Sequence, residues 1–260
     1  MASLRKAHAG FIIALALLIA LTVLAQPITS YSATETHKAV EPSAINEIVL
    51  EANKPDVFNS YNTNGTPPYM SGNSAVFYGS NRTNMYSDIV SLTSINANKS
   101  LVLEASVSTS IKNLSNTGED QFAVFATDDT TKYKSDEFGF VLPETGNTWY
   151  AYIQSPQIPG FFVWKPLLTL EPSGVVQHSF KAVYSNVGLL RFVDFYVDGK
   201  LLWSAFYPNV SGQSFHMVLC SHKVSAENVD LSQNMMIIGN ASLTDSSANG
   251  AQNLSYFNVL

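Results

Sequence analysis

The chain is poor in cysteine, and this shortage excludes two classes of small, cross-linked protein. Its 260 residues include one cysteine, Cys220. A disulfide-stapled scaffold and a multi-cysteine zinc ribbon each need several cysteines, so neither is compatible with this sequence. The neighbours of Cys220 are apolar, which favours a small buried hydrophobic residue over a reactive thiol or an intermolecular bridge.

The chain is also poor in charge. Charged residues make up 13% of it, and 14 basic against 20 acidic side chains give a formal net charge of -6. Because phosphate backbones are bound by clustered Lys and Arg, we expect no nucleic-acid partner. Aromatic residues reach 12% and hydrophobic residues 46%. These fractions are enough to build a core, and they exclude a disordered chain.

No stretch after residue 25 shows a sustained helical period. Short apolar or alternating runs recur between Gly, Pro, Asn and Asp residues, which predicts many short strands in one β-sandwich or barrel. One helical turn is expected over residues 224–231. The predicted strands are 47–51, 74–79, 88–95, 101–109, 120–127, 136–142, 148–154, 161–164, 177–184, 190–197, 201–207, 214–220, 234–243 and 254–259.

The N-terminus carries the pattern of a secretory signal peptide. Arg5 and Lys6 precede an apolar run over residues 11–25. A short charged segment, a short apolar run and a small residue are the three parts of such a signal, which predicts cleavage after Ala25. The mature protein is therefore expected to be secreted or held at the cell surface.

Two other interpretations of the N-terminus remain open. Residues 9–25 could stay as an uncleaved anchor, which would be the only predicted contact with a membrane. A pilin-type leader cut near Gly10 is the second alternative. Residues 26–46 are rich in Ser, Thr, Ala and Pro without periodicity, and they predict an extended arm or linker before a domain over residues 47–260.

Sequons for N-glycosylation fit an exported protein. The candidate acceptors are Asn64, Asn81, Asn98, Asn113, Asn209, Asn240 and Asn253.

Alternation along four of the predicted strands assigns one row of side chains to the core. The predicted core rows are Leu101, Leu103, Ala105 and Val107; Phe138, Phe140 and Leu142; Trp149, Ala151 and Ile153; and Val193, Phe195 and Val197. The opposite row of residues 148–154 holds Tyr150, Tyr152 and Gln154, which we expect to face solvent. Asp198-Gly199 is typical of a two-residue hairpin turn.

Three stretches resemble a known superfamily. Residues 178–183 (HSFKAV), followed by 195–203 (FYVDGKLLW), are similar to paired strands of concanavalin A-like lectins and glucanases, and residues 100–107 (SLVLEASV) resemble an early strand of the same proteins. The resemblance implies an all-β fold in which two antiparallel sheets stack as a jelly-roll sandwich. It also implies a glycan site on the concave face or on the loops at one rim, and a structural role for His178.

Most catalytic patterns are missing. Glycosidases of this superfamily carry Glu-x-Asp-x-x-Glu on one strand, and this chain has no such motif. A dyad of Glu104 and Glu137, reaching the concave face from different strands, is the one catalytic alternative. The absence of Gly-x-Ser-x-Gly and His-Glu-x-x-His motifs argues against a serine hydrolase and a zinc protease.

Metal-binding patterns are weak as well. His216 and His222 lie near Cys220, but their spacing matches no metal-binding motif, and no metal site or cofactor is predicted. Residues 245–250 offer oxygen ligands in a loop. Calcium is plausible there, although the chain lacks an Asp-x-Asp-x-Asp-Gly loop.

Carbohydrate binding requires fewer specialised residues than catalysis does. A pyranose ring stacks its C–H face on an aromatic side chain, while amides or carboxylates bond its hydroxyls. The predicted ligand-binding residues are Glu137, Tyr150, Tyr152, Gln154, Phe162 and Trp164.

The sequence therefore predicts an exported, non-catalytic protein that binds a polysaccharide, a glycan or a surface polymer. A secreted glycoside hydrolase or lyase of the same fold is the first alternative. The second is a cell-surface or filament subunit, in which the N-terminal arm adds a strand to a neighbour.

Overall fold

Short runs rich in β-branched and aromatic residues form strands throughout the part of the chain that the computed structural model describes. The described residues belong to one compact unit, Ser43–Leu260. They are residues 47–51, 58–63, 66–82, 85–96, 100–115, 120–128, 135–155, 161–171, 175–187, 190–207, 214–223 and 229–245. The predicted signal peptide, the arm and the strand 254–259 lie outside them.

Sixteen strands occupy the described ranges. In chain order they are β1 (Glu47–Val49), β2 (Phe58–Thr63), β3 (Tyr69–Ser71), β4 (Ser74–Tyr78), β5 (Met85–Ser91), β6 (Ile95–Asn96), β7 (Ser100–Ser110), β8 (Asp120–Thr127), β9 (Glu137–Pro143), β10 (Thr148–Ser155), β11 (Phe161–Thr169), β12 (Gln177–Val187), β13 (Leu190–Val197), β14 (Lys200–Phe206), β15 (Ser214–Lys223) and β16 (Met235–Asp245).

The strands form two eight-stranded sheets with antiparallel pairing. Sheet A has the order β14-β13-β12-β7-β16-β4-β3, with β1 paired to β16. Sheet B has the order β11-β10-β9-β8-β15-β5-β2, with β6 paired to β15. Among the described residues there is no helix, and hence none long and apolar enough to cross a membrane.

The core lies between the two sheets. Phe140 of sheet B and Phe180 of sheet A have ring centroids 4.8 Å apart, and the rings of Phe138 and Tyr184 stack at 6.1 Å. Every residue of the four predicted core rows is buried. The prediction of an all-β, two-sheet antiparallel sandwich is therefore confirmed.

The hairpin between β13 and β14 follows its sequence signal. Asp198 and Gly199 have φ angles of 51° and 74°, as the two central residues of a type I′ turn require. An oxygen of Asp198 accepts a hydrogen bond from the backbone N–H of Ser179 at 2.9 Å, and its second oxygen lies 2.8 Å from Nδ1 of His178. His178 thus ties the turn to β12, the structural role that the resemblance implied.

Several predicted elements differ from the structure. Strands β2 and β3 were not predicted. The predicted strand 88–95 covers parts of both β5 and β6, so β6 was not predicted as a separate strand. The expected helical turn falls mostly on residues 224–228, outside the described residues, and residues 229–231 are not helical.

Candidate functional site

The outer face of sheet B carries a second apolar cluster, on the side away from the core. Strand alternation sends every other side chain of β8, β9, β10 and β15 to this face. The buried members of the cluster are Val90, Ala123, Val141, Tyr152, Val218 and Cys220, and the partly buried Phe125, Tyr150 and Trp164 pack against them. The buried members form a packed layer, and a ligand on this face would contact the partly exposed aromatic residues beside them.

Four rings gather at the β10–β11 end of this face, and we call Tyr150, Tyr152, Phe162 and Trp164 the aromatic cluster. The antiparallel register places Tyr152 opposite Trp164 and Gln154 opposite Phe162. Centroid distances are 5.7 Å for Tyr150 and Trp164, 5.6 Å for Tyr152 and Phe162, and 5.6 Å for Phe162 and Trp164. These separations lie in the range of favourable ring contacts. The cluster is therefore a packed, pre-formed surface.

Glu137 lies beside the aromatic cluster, on the first residue of β9. Oη of Tyr152 donates a hydrogen bond to its Oε2 at 2.6 Å, and Oγ of Ser135 donates to its Oε1 at 2.7 Å. Oγ1 of Thr127 lies 3.4 Å from Oε1. Oη of Tyr152 also lies 2.9 Å from Oε1 of Gln154. The carboxyl group is thus held in a fixed network at the edge of the rings.

The environment of Glu137 disfavours its charged form. Burial raises the pKa of this carboxyl above its ordinary value, and the nearby Asp128 raises it further. Hydrogen bonds from Tyr152, Ser135 and Thr127 act in the opposite direction without cancelling the effect of burial. A carboxyl in this state can donate as well as accept a hydrogen bond.

All six predicted ligand-binding residues lie on this one face of sheet B, brought together by the register of β9, β10 and β11. Their exposure differs from the expectation. Tyr152 was expected to face solvent, but it is 6% exposed because the neighbouring rings and Glu137 cover it. Tyr150, Gln154 and Trp164 are half-buried, and Phe162 is 52% exposed.

The alternative catalytic dyad of Glu104 and Glu137 is wrong. Glu104 belongs to β7 in sheet A, whereas Glu137 belongs to β9 in sheet B. Both side chains point away from the shared core, so they lie on opposite sides of the sandwich. Glu104 instead forms an ion pair with Lys181 on β12, with Oε1 and Nζ 2.7 Å apart.

Three residues of the site were missed. Phe125 packs against the apolar cluster, and Thr127 and Ser135 bond Glu137. Thr127 lies directly opposite Glu137 across β8 and β9. Alternation in the sequence places Phe125 and Thr127 on one face of their strand. It does not show which strand lies alongside, so their proximity to Glu137 could not be read from it.

The described sequons differ in their suitability as acceptors. Asn81 and Asn240 are exposed. Asn113 uses its amide Nδ2 to donate a hydrogen bond to the carbonyl of Asp230 at 2.7 Å, which ties up the atom that would carry a glycan. Asn64, Asn98, Asn209 and Asn253 lie outside the described residues, as do residues 246–250 of the calcium loop.

One group of potential metal ligands occurs among the described residues. It consists of Asp88, Cys220 and His222, and it lies on the outer face of sheet B. Cys220 is three strands away from Tyr150 along one row of Cα partners.

Comparisons with known proteins give structural matches only. Neither a family model nor a curated protein matches the chain by sequence. The carbohydrate recognition domain of Emp47p superposes with a TM-score of 0.56 at 10% identity, covering 78% of this chain and 96% of that one. Rv0315 of Mycobacterium tuberculosis, described as an immunostimulatory antigen and pseudo beta-1,3-glucanase, gives 0.56 at 12%, with 76% and 95% covered.

A protein described as a glucanase also matches. The endo-1,3-beta-glucanase from Streptomyces sioyaensis superposes with a TM-score of 0.53 at 9% identity, covering 80% of this chain and all of the other. Identities this low establish the fold alone. The chain therefore has the fold of the concanavalin A-like lectins and glucanases, as its strand motifs indicated.

Proposed function

We propose that this protein binds a carbohydrate polymer, without cleaving it, on the outer face of sheet B. The observation that carries the proposal is the aromatic cluster beside the Glu137–Tyr152–Gln154 network. The cluster supplies flat apolar faces for sugar C–H groups, and the network supplies fixed polar atoms for hydroxyls.

The neighbours in fold support a glycan as the ligand. Emp47p is represented by a carbohydrate recognition domain, and two further matches are described as a glucanase and a pseudo-glucanase. We therefore choose a soluble β-1,3-glucan as the first probe, followed by a glycan array.

The surroundings of Glu137 favour binding over cleavage. Its Cα partners on the flanking strands are Thr127 and Gln154, and the next residue along its own face is Gly139. None of these offers a second carboxylate, and the nearby Asp128 uses its Oδ1 to accept a hydrogen bond from the backbone N–H of Asp136 at 2.9 Å. Retaining hydrolysis needs two carboxyl groups about 5 Å apart, and inversion about 6.5–9.5 Å.

Ring removal tests the location of the site. Phe162→Ala and Trp164→Ala should each weaken glucan binding about tenfold, because one aromatic contact contributes roughly 1–2 kcal/mol. Phe206→Ala is the matched control, since Phe206 is also 52% exposed but lies on sheet A. Titration calorimetry measures all three variants. Equal loss in the control, or no loss in the two cluster variants, would place the site elsewhere.

A secreted glycosidase remains the second candidate, because a buried carboxyl with a raised pKa suits a general acid. Glu137→Gln separates the two functions. If the protein only binds, the wild type releases no reducing ends and the variant binds slightly more weakly. If it cleaves, the variant keeps binding and loses turnover.

We further propose that the protein acts after export, on the basis of its N-terminal charge and apolar run. Mass spectrometry of the protein recovered from the culture medium should find Gln26 as the first residue. An intact N-terminus in a membrane fraction would instead support the anchor.

A further inference from the structure

Strand pairing brings three chemically different metal ligands together on sheet B. Cys220 and His222 lie two residues apart on β15 and so share its outer face. Asp88 on β5 is the Cα partner of Cys220. A thiol, an imidazole and a carboxylate, drawn from two distant parts of the chain, therefore meet at one position.

The ligand atoms are close enough to share one ion. Those of Asp88, Cys220 and His222 all lie within 4.8 Å of one another, and Nε2 of His222 is 2.7 Å from Oδ1 of Asp88. Ligands around a tetrahedral zinc ion lie about 3.4 Å apart, as bonds of about 2.0–2.3 Å require. Small side-chain shifts would therefore convert the cluster into a coordination shell.

The cluster is largely buried, and an aromatic ring packs against its imidazole. Cys220 is 1% exposed, and the side chains of His222 and Asp88 are 11% and 19% exposed. The ring of Tyr86, the Cα partner of His222, meets the imidazole edge-on with centroids 4.9 Å apart. Such neighbours orient a metal-binding imidazole and exclude competing solvent.

We propose that Asp88, Cys220 and His222 bind one divalent transition-metal ion of the zinc type. The thiolate disfavours Ca²⁺ and Mg²⁺, which prefer oxygen ligands, while the mixed sulfur, nitrogen and oxygen set suits Zn²⁺. The three side chains leave a fourth tetrahedral position for an oxygen of water or of a ligand on this face. This site does not depend on the carbohydrate proposal.

Metal binding has a defined proton balance. The Cys220 thiol loses its proton when the metal–sulfur bond forms, and a neutral His222 binds through a lone pair after its remaining proton moves to the other ring nitrogen. One proton is thus released to solvent for each ion bound from the thiol state, so the affinity should rise with pH.

The experiment uses the full chain after dialysis against a chelator. Titration with Co²⁺ should give one equivalent of binding and a thiolate-to-cobalt charge-transfer band, and Zn²⁺ should displace the cobalt. Cys220→Ser should abolish the band. His222→Gln and Asp88→Asn should weaken Zn²⁺ binding by at least about 10- to 100-fold, the loss that even an outer-shell partner causes.

A second histidine–aspartate pair provides the matched control. His178 and Asp198 lie 2.8 Å apart on sheet A, but they do not belong to the ligand cluster. His178→Gln should leave Zn²⁺ affinity unchanged. Thermal melts of the metal-free variants check that each one folds, and Cys220→Ala replaces Cys220→Ser if the hydroxyl is not tolerated.

Two results would overturn the proposal. One is binding well below one equivalent, or binding that the Cys220 and His222 substitutions do not change. The other is rapid alkylation of Cys220 at neutral pH that depends on His222 in a protein that binds no Zn²⁺. That result would assign a thiolate–imidazole nucleophile in place of a metal site.

Discussion

At the scale of single residues, the burial of Glu137 links stability to pH. Burial raises the pKa of this carboxyl in the folded protein above its ordinary value of 4.5, which the unfolded chain keeps. Between these two pKa values the folded state holds a proton that the unfolded state has lost. The contribution of Glu137 to the free energy of unfolding should therefore fall as pH rises from about 4.5 through the folded pKa, and level off above it.

Glu137→Gln removes this dependence. We expect the free energy of unfolding of the wild type minus that of Glu137→Gln to decrease as pH rises from about 4 to 8. Urea unfolding measured at intervals across that range provides the curve. A difference that stays constant would mean that the hydrogen bonds to the carboxylate balance the effect of burial, and one that increases with pH would mean that they outweigh it.

Trp149 tests the assignment of the core face. It is 0% exposed and its ring lies 5.1 Å from that of Phe180 in the opposite sheet. Trp149→Ala should lower the free energy of unfolding by about 3–5 kcal/mol, because the cavity forms between two sheets. Phe206→Ala, at an exposed position, should cost well under half of that. Similar midpoints for both variants in denaturant would contradict the register.

Alternation in the sequence identified the core residues but not the burial of the opposite row. Trp149 and Ile153 lie where the pattern predicts, because every second side chain of β10 from Trp149 to Ile153 points into the core. Tyr152 is buried as well, since β11 pairs alongside and brings Phe162 and Trp164 over it. That contact depends on a neighbouring strand, which a period of two cannot reveal.

At the scale of elements, Gly139 allows β8 and β9 to lie unusually close together. A Cβ at this position would lie 2.3 Å from the carbonyl oxygen of Val124 and 2.5 Å from Cα of Phe125. Both atoms belong to the backbone of β8, so a rotamer change cannot relieve the overlap. The two strands would have to separate beside Glu137.

Gly139→Ala should therefore destabilise the protein far more than an ordinary surface substitution, by roughly 1–3 kcal/mol or more. Gly146→Ala is the control, because the nearest atom to its added Cβ would be 3.7 Å away. Thermal melts of the two variants supply the comparison. If the melting temperature of Gly139→Ala equals that of the wild type, then β8 and β9 are not as close as the structure shows.

The strands that sequence reasoning missed are weak in pattern for physical reasons. The β2 sequence, FNSYNT, is mostly polar and shows no alternation of apolar residues. Strands β3 and β6 contain only three and two residues. Such segments are strands because a longer neighbour offers backbone donors and acceptors, which leaves no hydrophobic period to detect.

At the scale of the molecule, the sandwich is built from pairings between distant parts of the chain. β7 pairs with β16, and β15 pairs with both β5 and β8. Closing these loops costs entropy before the core can form, so refolding should take milliseconds to seconds or longer. Stopped-flow fluorescence should show it, and complete refolding within microseconds would contradict this topology.

The residues that share a candidate site could not be predicted fully, because the sequence does not reveal the order of the strands in each sheet. Glu104 and Glu137 were placed on one face because both alternate outwards, yet their strands belong to different sheets. Conversely, Asp88 meets His222 and Cys220 only because β5 pairs with β15. Alternation determines the face to which a side chain points, whereas the partner strand determines which other side chains lie beside it.

The phenol of Tyr152 carries one hydrogen, yet its oxygen is within bonding distance of Glu137 and of Gln154. When Glu137 is ionised, that hydrogen goes to the carboxylate, and the Gln154 amide must turn its NH₂ group toward the phenol. When Glu137 is neutral, its own proton goes to Tyr152, and the phenol then donates to the Gln154 carbonyl. The protonation state of Glu137 therefore determines whether the Gln154 amide donates a hydrogen bond to Tyr152 or accepts one from it. The amide group that remains for a ligand at the edge of the face changes accordingly. A ligand hydroxyl at that edge would meet opposite polarities below and above the raised pKa of Glu137, and the ¹⁵N shift of the Gln154 amide followed against pH would record the reversal.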